Sequence, residues 1–219
     1  MKLTVHAMCS YYPKSAEAEH GSPSQGLWDS RKFCTAVKDG TIRGYLTFTG
    51  SNGLIYTINE NNPNDARRIF GSFVAKIIKT LDCEPLSIIP VPSKDALIGA
   101  STFRSLSMLE AARGDRKWTI EPYLRFTEPL QKASNGGPRN RTLLAHYMRL
   151  VAQPSSKNVV IIDDICTSGN HLLACQDILA KAGCTTVAAI VCGHTDHNNA
   201  ATPFITKKFD IPEDNPFDF

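Results

Sequence analysis

The chain has little net charge. Its 24 lysines and arginines face 21 aspartates and glutamates, leaving +3 with histidine neutral. So small an excess excludes a strongly basic nucleic-acid footprint over the whole chain and leaves room only for a local basic patch. Also lacking is any unbroken apolar run of about 18 residues, so no membrane span is expected. C-x-x-C spacing is missing as well. The seven cysteines, at 9, 34, 83, 166, 175, 184 and 192, are odd in number and scattered, which argues against a zinc ribbon or a thioredoxin-type site. The opening MKLTVHAMCSYYPKS has no sustained apolar core of the signal-peptide kind and reads as a strand. These absences together predict a reduced, cytoplasmic protein with free thiols. With 14 glycines and 13 prolines, no collagenous or low-complexity class applies, and no repeat of fixed period is visible. What remains is ordinary globular material, 42% hydrophobic and 21% charged over 219 residues. That length suffices for one large domain, or a domain with a small appendage, with its own core.

The two ends of the chain differ in texture. Up to about residue 62 the pattern is irregular. It comprises a strand in LTVHAMCSYY, a polar loop over residues 13–24, and a short helix over residues 27–38 with Leu27, Cys34 and Val37 on one side. A hairpin follows, its strands separated by Gly50-Ser51-Asn52-Gly53, where Asn52-Gly53 supplies the positive φ angles of a tight turn. From Pro63 onward the punctuation becomes regular. Asn62-Pro63 predicts a helix start, and Phe70, Phe73, Val74, Ile77, Ile78 and Leu81 line one helical face. Strands are expected at residues 86–91, 118–126, 158–162, 185–192 and 204–209. Helices are expected at residues 95–113, 138–151 and 170–182. Strands alternating with amphipathic helices imply α/β architecture, with a mostly parallel central sheet flanked by helices on both faces.

One stretch carries chemistry: Val159-Val-Ile-Ile-Asp163-Asp164-Ile-Cys166-Thr167-Ser168-Gly169-Asn170-His171. A buried strand leads to two carboxylates at its C-terminal end, where open α/β sheets bind ligands. A Thr-Ser-Gly turn then opens a helix, offering free amides, hydroxyls and a positive helix terminus to an anion. A ligand with a phosphate at one end and neighbouring hydroxyls in its middle satisfies both halves, and a ribose 5-phosphate is such a ligand.

This segment resembles the phosphoribosyl pyrophosphate (PRPP) signature of the type I phosphoribosyltransferases, in which four apolar residues precede two acidic ones, two variable positions, Thr, a small residue and Gly. His171 stands where Thr or Ser often closes that loop, and an imidazolium would supply the missing donor. Ile88-Ile-Pro90-Val-Pro92-Ser93-Lys94 is similar to the pyrophosphate loop of the same fold, especially in ComF-like proteins. The run Arg125-Phe-Thr127 to Gln131-Lys132, then Gly136-Gly137-Pro138-Arg139-Asn140-Arg141, follows the order of the mobile flap in ComF-like chains. The resemblance implies a type I phosphoribosyltransferase fold, with residues 1–62 as an N-terminal hood and residues 63–219 as the core.

The implied activity is displacement of pyrophosphate from PRPP by a base-like acceptor, with Mg²⁺. Asp163 and Asp164 would accept from the ribose hydroxyls and meet the metal only indirectly. Cys166, Thr167, Ser168, Gly169, Asn170 and His171 would hold the 5-phosphate. Pro92, Ser93, Lys94, Arg139 and Arg141 would meet the diphosphate. The hood would select the acceptor, but its sequence matches no base-recognition pattern, and the cysteine-rich zinc module of many ComF proteins is lacking. The resemblance leaves open a homodimer and a nucleic-acid or protein partner. Its alternatives are a non-catalytic PRPP- or nucleotide-sensing module, serving regulation or a competence-type DNA process, and a generic doubly wound phosphate-binding domain.

Three weaker signals accompany these. Cys192-Gly-His194-Thr-Asp196-His197 places possible metal ligands at a strand end, although a polar loop is the simpler reading. Cys166, at a helix N-terminus, is the one thiol whose position favours a lowered pKa, although a small residue filling the loop is the simpler reading. Trp28 and Trp118 are expected in the core by default.

Overall fold

Val159, Val160, Ile161 and Ile162 are all buried, yet successive side chains enter different cores. Val159 and Ile161 pack with Val5, Ala7, Leu172 and Leu179, whereas Val160 and Ile162 pack with Phe33, Phe70, Val74 and Met108. A strand whose alternate residues are apolar on both sides has to be covered on both faces, and this requirement sets the three layers of the protein. The computed structural model describes residues 2–130, 140–197 and 202–214. Among them, in chain order, lie β1 (Leu3–Tyr11), a 3-10 turn (Lys14–Ala16), α1 (Glu17–His20), α2 (Gln25–Asp39), β2 (Tyr45–Thr49), β3 (Ile55–Asn59), α3 (Asn64–Thr80), β4 (Ser87–Pro90) and α4 (Arg104–Arg113). They are followed by β5 (Leu124–Phe126), α5 (Arg141–Tyr147), β6 (Met148–Leu150), β7 (Asn158–Cys166), α6 (Asn170–Lys181), β8 (Thr185–Thr195) and β9 (Lys207–Ile211).

The central sheet has the order β4-β7-β8-β1-β9. Its first four strands are mutually parallel, and β9 runs antiparallel along β1. Helices α2, α3 and α4 contribute to the core on one face and α6 to the core on the other. The expected α/β class with a mostly parallel sheet is therefore what the chain adopts. The segment expected to form a hood is partly interior to that sheet. β1 lies between β8 and β9, while α2 and the β2–β3 hairpin sit outside it.

Local differences from expectation have identifiable causes. Asn62 does not cap α3 through its side chain. Its carboxamide oxygen accepts from the Asn59 amide at 2.7 Å, closing the preceding turn instead, and the helix begins two residues later. Asn52-Gly53 belongs to a longer loop closed by Gly50 and Leu54 rather than to a two-residue turn. The helix expected from residue 95 begins at Arg104, because the Asp95 carboxylate accepts from the Arg104 amide at 2.9 Å across an intervening turn. The helix expected over residues 138–151 spans only Arg141–Tyr147, since Met148–Leu150 is drawn into antiparallel pairing with β5. That pairing also shortens the strand expected at residues 118–126 to Leu124–Phe126, with Ile120 in an isolated bridge to Ile88. The last strand lies at Lys207–Ile211, where β1 offers its free edge.

Candidate functional site

β7 continues past Ile162 to Cys166 because β8 keeps pairing with it: Asp163 stands opposite Val191, Ile165 opposite Gly193, and Cys166 opposite His194. The two aspartates thus sit within the end of the strand, not beyond it. β4 is the neighbour of β7, with Pro90 opposite Ile162. The segments that leave these two strands therefore emerge side by side at the C-terminal edge of the sheet. A cavity of about 460 Å³ opens there, within the range of small-molecule sites. Among the residues predicted for the site, Pro92, Ser93, Lys94, Asp163, Asp164, Cys166, Thr167, Gly169 and His171 line it.

Other predicted residues stand elsewhere. Ser168 and Asn170 do not line the cavity. Arg141 forms a two-pronged pair with Asp177, at 2.7 and 2.6 Å, and donates to the Glu213 carbonyl, so its guanidinium is bound to α6 and to the segment after β9. Arg139 and the glycines before it lie outside the described residues.

The turn after β7 has the form an anion-binding loop needs. Gly169 takes φ +83°, a conformation that favours glycine, and a β-carbon there would stand 2.3 Å from Ile211 Cδ1 and displace the end of that side chain. The first amides of α6 follow it, without intrahelical acceptors. On the β4 side, the Ser93 amide donates to Ser105 Oγ at 3.3 Å, and Ser93 Oγ donates to Asp95 at 2.5 Å. These bonds tie the turn to the start of α4. Lys94 forms no ion pair among the described residues.

Electrostatics set the two aspartates apart. The Asp163 carboxylate accepts from the Asp164 amide at 2.8 Å. Burial, then the neighbouring Asp164 charge, hold its pKa well above the usual carboxylate range. Asp164 accepts from the Ile165 amide at 2.7 Å and is ion-paired with Lys38. The pair thus presents one carboxylate that resists ionisation and one that is neutralised. His171 departs from the expected imidazolium. Burial lowers its pKa to about 4, its ring stacks on Phe126 at 5.9 Å, and Nε2 has no hydrogen-bond partner among the described residues. The ring is neutral at physiological pH. Nor is Cys166 acidic: burial first, then Asp163, push its thiol up to about 12.

Sequence reasoning missed Lys38, Tyr11, Arg104 and Ser105, which also line the cavity. Tyr11 and Lys38 come from β1 and α2, far from the motif in sequence and without a pattern of their own. Arg104 and Ser105 open α4, and only the misplaced helix start hid them. Of the weaker signals, the His194 ring packs on Phe209 at 4.3 Å and Asp196 pairs with Lys207 at 2.7 Å. Neither they nor His197 gather as ligands among the described residues. Trp28 is 37% exposed beneath the Arg31 guanidinium rather than in the core. Searched against family models and against curated proteins, the sequence matches none.

Chemically, the cavity joins carboxylate acceptors, a lysine and a helix-opening turn. That donor and acceptor set suits a ligand with hydroxyls flanked by anionic groups.

Proposed function

We propose that this chain binds PRPP in the cavity between β4 and β7 and transfers its 5-phosphoribosyl group to a base-like acceptor, releasing pyrophosphate. The observation that carries this reading is the meeting of Pro92–Lys94 and Asp163–His171 in one cavity, at adjacent strand ends. In this reading Gly169 and the first amides of α6 hold the 5-phosphate. Asp163 and Asp164 meet the ribose hydroxyls through their carboxyl oxygens. Lys94 and Arg104 face the diphosphate.

The donor set fits Mg²⁺ only in a shared manner. Two carboxylates are present, one of them paired with Lys38, and no third carboxylate or imidazole joins them among the described residues. Such a set suits an ion that keeps waters and takes substrate oxygens. Bound with the donor, Mg²⁺ would neutralise diphosphate charge, with Asp163 and Asp164 reaching it through ribose or water.

A second reading, PRPP binding without transfer, is favoured by the commitments of two cations. Lys38 is paired with Asp164, and Arg141 with Asp177. Calorimetry with PRPP and Mg²⁺ tests binding. The Asp163→Asn/Asp164→Asn double variant is expected to stay folded and lose PRPP, and unchanged affinity would refute the site. Pyrophosphate release over a panel of bases then separates the readings. Turnover with one base supports transfer, whereas binding without turnover supports the second.

A further inference from the structure

Three cysteines separated in sequence meet beneath the cavity wall. Cys9 comes from β1, Cys34 from α2 and Cys192 from β8, and each has zero exposure. All are free thiols. Cys34 Sγ lies 3.5 Å from Cys9 Sγ and 3.7 Å from Cys192 Sγ, and all three sulfurs are within 4.8 Å of one another. The next residue, Gly193, makes the room: a β-carbon there would stand 2.7 Å from Cys34 Sγ.

From this geometry we infer that Cys9, Cys34 and Cys192 form a binding site for one thiophilic divalent cation, of which zinc is the type. Around an ion with zinc–sulfur bonds of about 2.3 Å, tetrahedral geometry sets sulfurs about 3.8 Å apart, so the 3.5 and 3.7 Å separations found need only a small opening. A fourth donor is at hand in the Cys192 carbonyl oxygen, 3.3 Å from Cys9 Sγ, which has a second lone pair to offer. An all-sulfur side-chain set selects soft cations over Mg²⁺ or Ca²⁺.

Metal binds such side chains as thiolates, so each thiol proton leaves to solvent as its sulfur–metal bond forms, and a divalent ion offsets more of the resulting buried negative charge than a monovalent one does. The site is independent of the cavity's ligand, though it shares an element with it: Cys34 and Lys38 are one turn apart on α2.

The test uses the full chain, reduced and refolded with Zn²⁺ because the cluster is sealed from solvent. One equivalent of zinc, retained against a chromogenic chelator, is expected, with a raised melting temperature. Co²⁺ in its place is expected to give sulfur-to-metal charge-transfer absorption. Cys34→Ser should weaken zinc at least tenfold. Gly193→Ala keeps all seven thiols but crowds Cys34, and should weaken it as well, with circular dichroism confirming the fold in each. Cys83→Ser should change nothing. Failure of the folded wild type to retain zinc, retention unaffected by Cys34→Ser, or a Cys9–Cys34 disulfide in its place would each overturn the assignment.

Discussion

Replacing Lys38 by methionine tests how the protein tolerates two adjacent carboxylates at the end of β7. Methionine keeps most of the stem's apolar contact and removes only the charge. The Lys38 and Asp164 side chains are 28% and 16% exposed, so the pair belongs neither to the surface nor to the deep interior. Exposed pairs contribute about 0.2–1 kcal/mol, while removal of one partner from a buried pair costs about 3–5 kcal/mol. Unit charges 4 Å apart attract by about 4 kcal/mol at an effective dielectric constant of about 20. Partial desolvation of the ammonium offsets some of this. The expected loss for Lys38→Met is about 1–3 kcal/mol between those limits. At roughly 2–4 °C per kcal/mol for a chain of this size, that is a clear fall in melting temperature. The assay is a double-mutant cycle in urea with Lys38→Met, Asp164→Asn and both together. Asp164→Asn should restore part of what Lys38→Met loses, because it removes the uncompensated charge and the repulsion on Asp163. A coupling of about 1–3 kcal/mol is expected; additivity to within about 0.5 kcal/mol would refute the claim that Lys38 neutralises the pair.

Other outcomes follow from the same site. Asp163 has a raised pKa in the folded chain, so it favours folding below its unfolded value and loses that contribution as pH rises through its folded value. Asp163→Asn should therefore be more stable than wild type at pH 8, by about 0.5–2 kcal/mol, and equal to it near pH 3; urea midpoints across pH check this. His171 shows the opposite dependence. Its pKa falls from 6.5 to about 4, so its stability contribution is present above 6.5 and lost as pH falls toward 4, by at most about 3 kcal/mol. His171→Gln should flatten that part of the profile, and an unchanged slope would count against the buried neutral ring. Gly169→Ala forces a side chain into φ +83° and against Ile211. It should lose about 1–3 kcal/mol in urea melts, and calorimetry should show weakened PRPP binding.

What was legible in the sequence was local. The apolar stripe of α3, the unbroken VVII of β7 and the glycine that ends its loop each reflect a constraint contained within a few residues. That the two motifs serve one ligand was implied by the resemblance, and the structure lines one cavity with residues of both; the adjacency of β4 and β7 is known only from the structure. Lys38 was hidden because its role depends on where α2 lands on the sheet, and no spacing along α2 encodes that. The same holds for Arg141, whose partner Asp177 lies on another helix. His171 read as a cation because its burial comes from Phe126 and the surrounding layers. The membership of β1 in the sheet was hidden for a related reason: strand partners are chosen by the whole fold, and a strand's own residues show only that its faces will be covered.

The position of β1 also bears on how the protein is made. Cys9 on β1 and the Cys192 carbonyl on β8 are 183 residues apart in the chain, and β9 is later still. β1 leaves the ribosome before β8 and β9, the strands that pair with its two edges. In that interval a strand rich in buried positions waits with both edges open. At about 5–20 residues per second that wait lasts on the order of ten seconds or more, long beside the microseconds in which hydrophobic collapse occurs. The central sheet closes around its earliest strand only when the latest ones arrive.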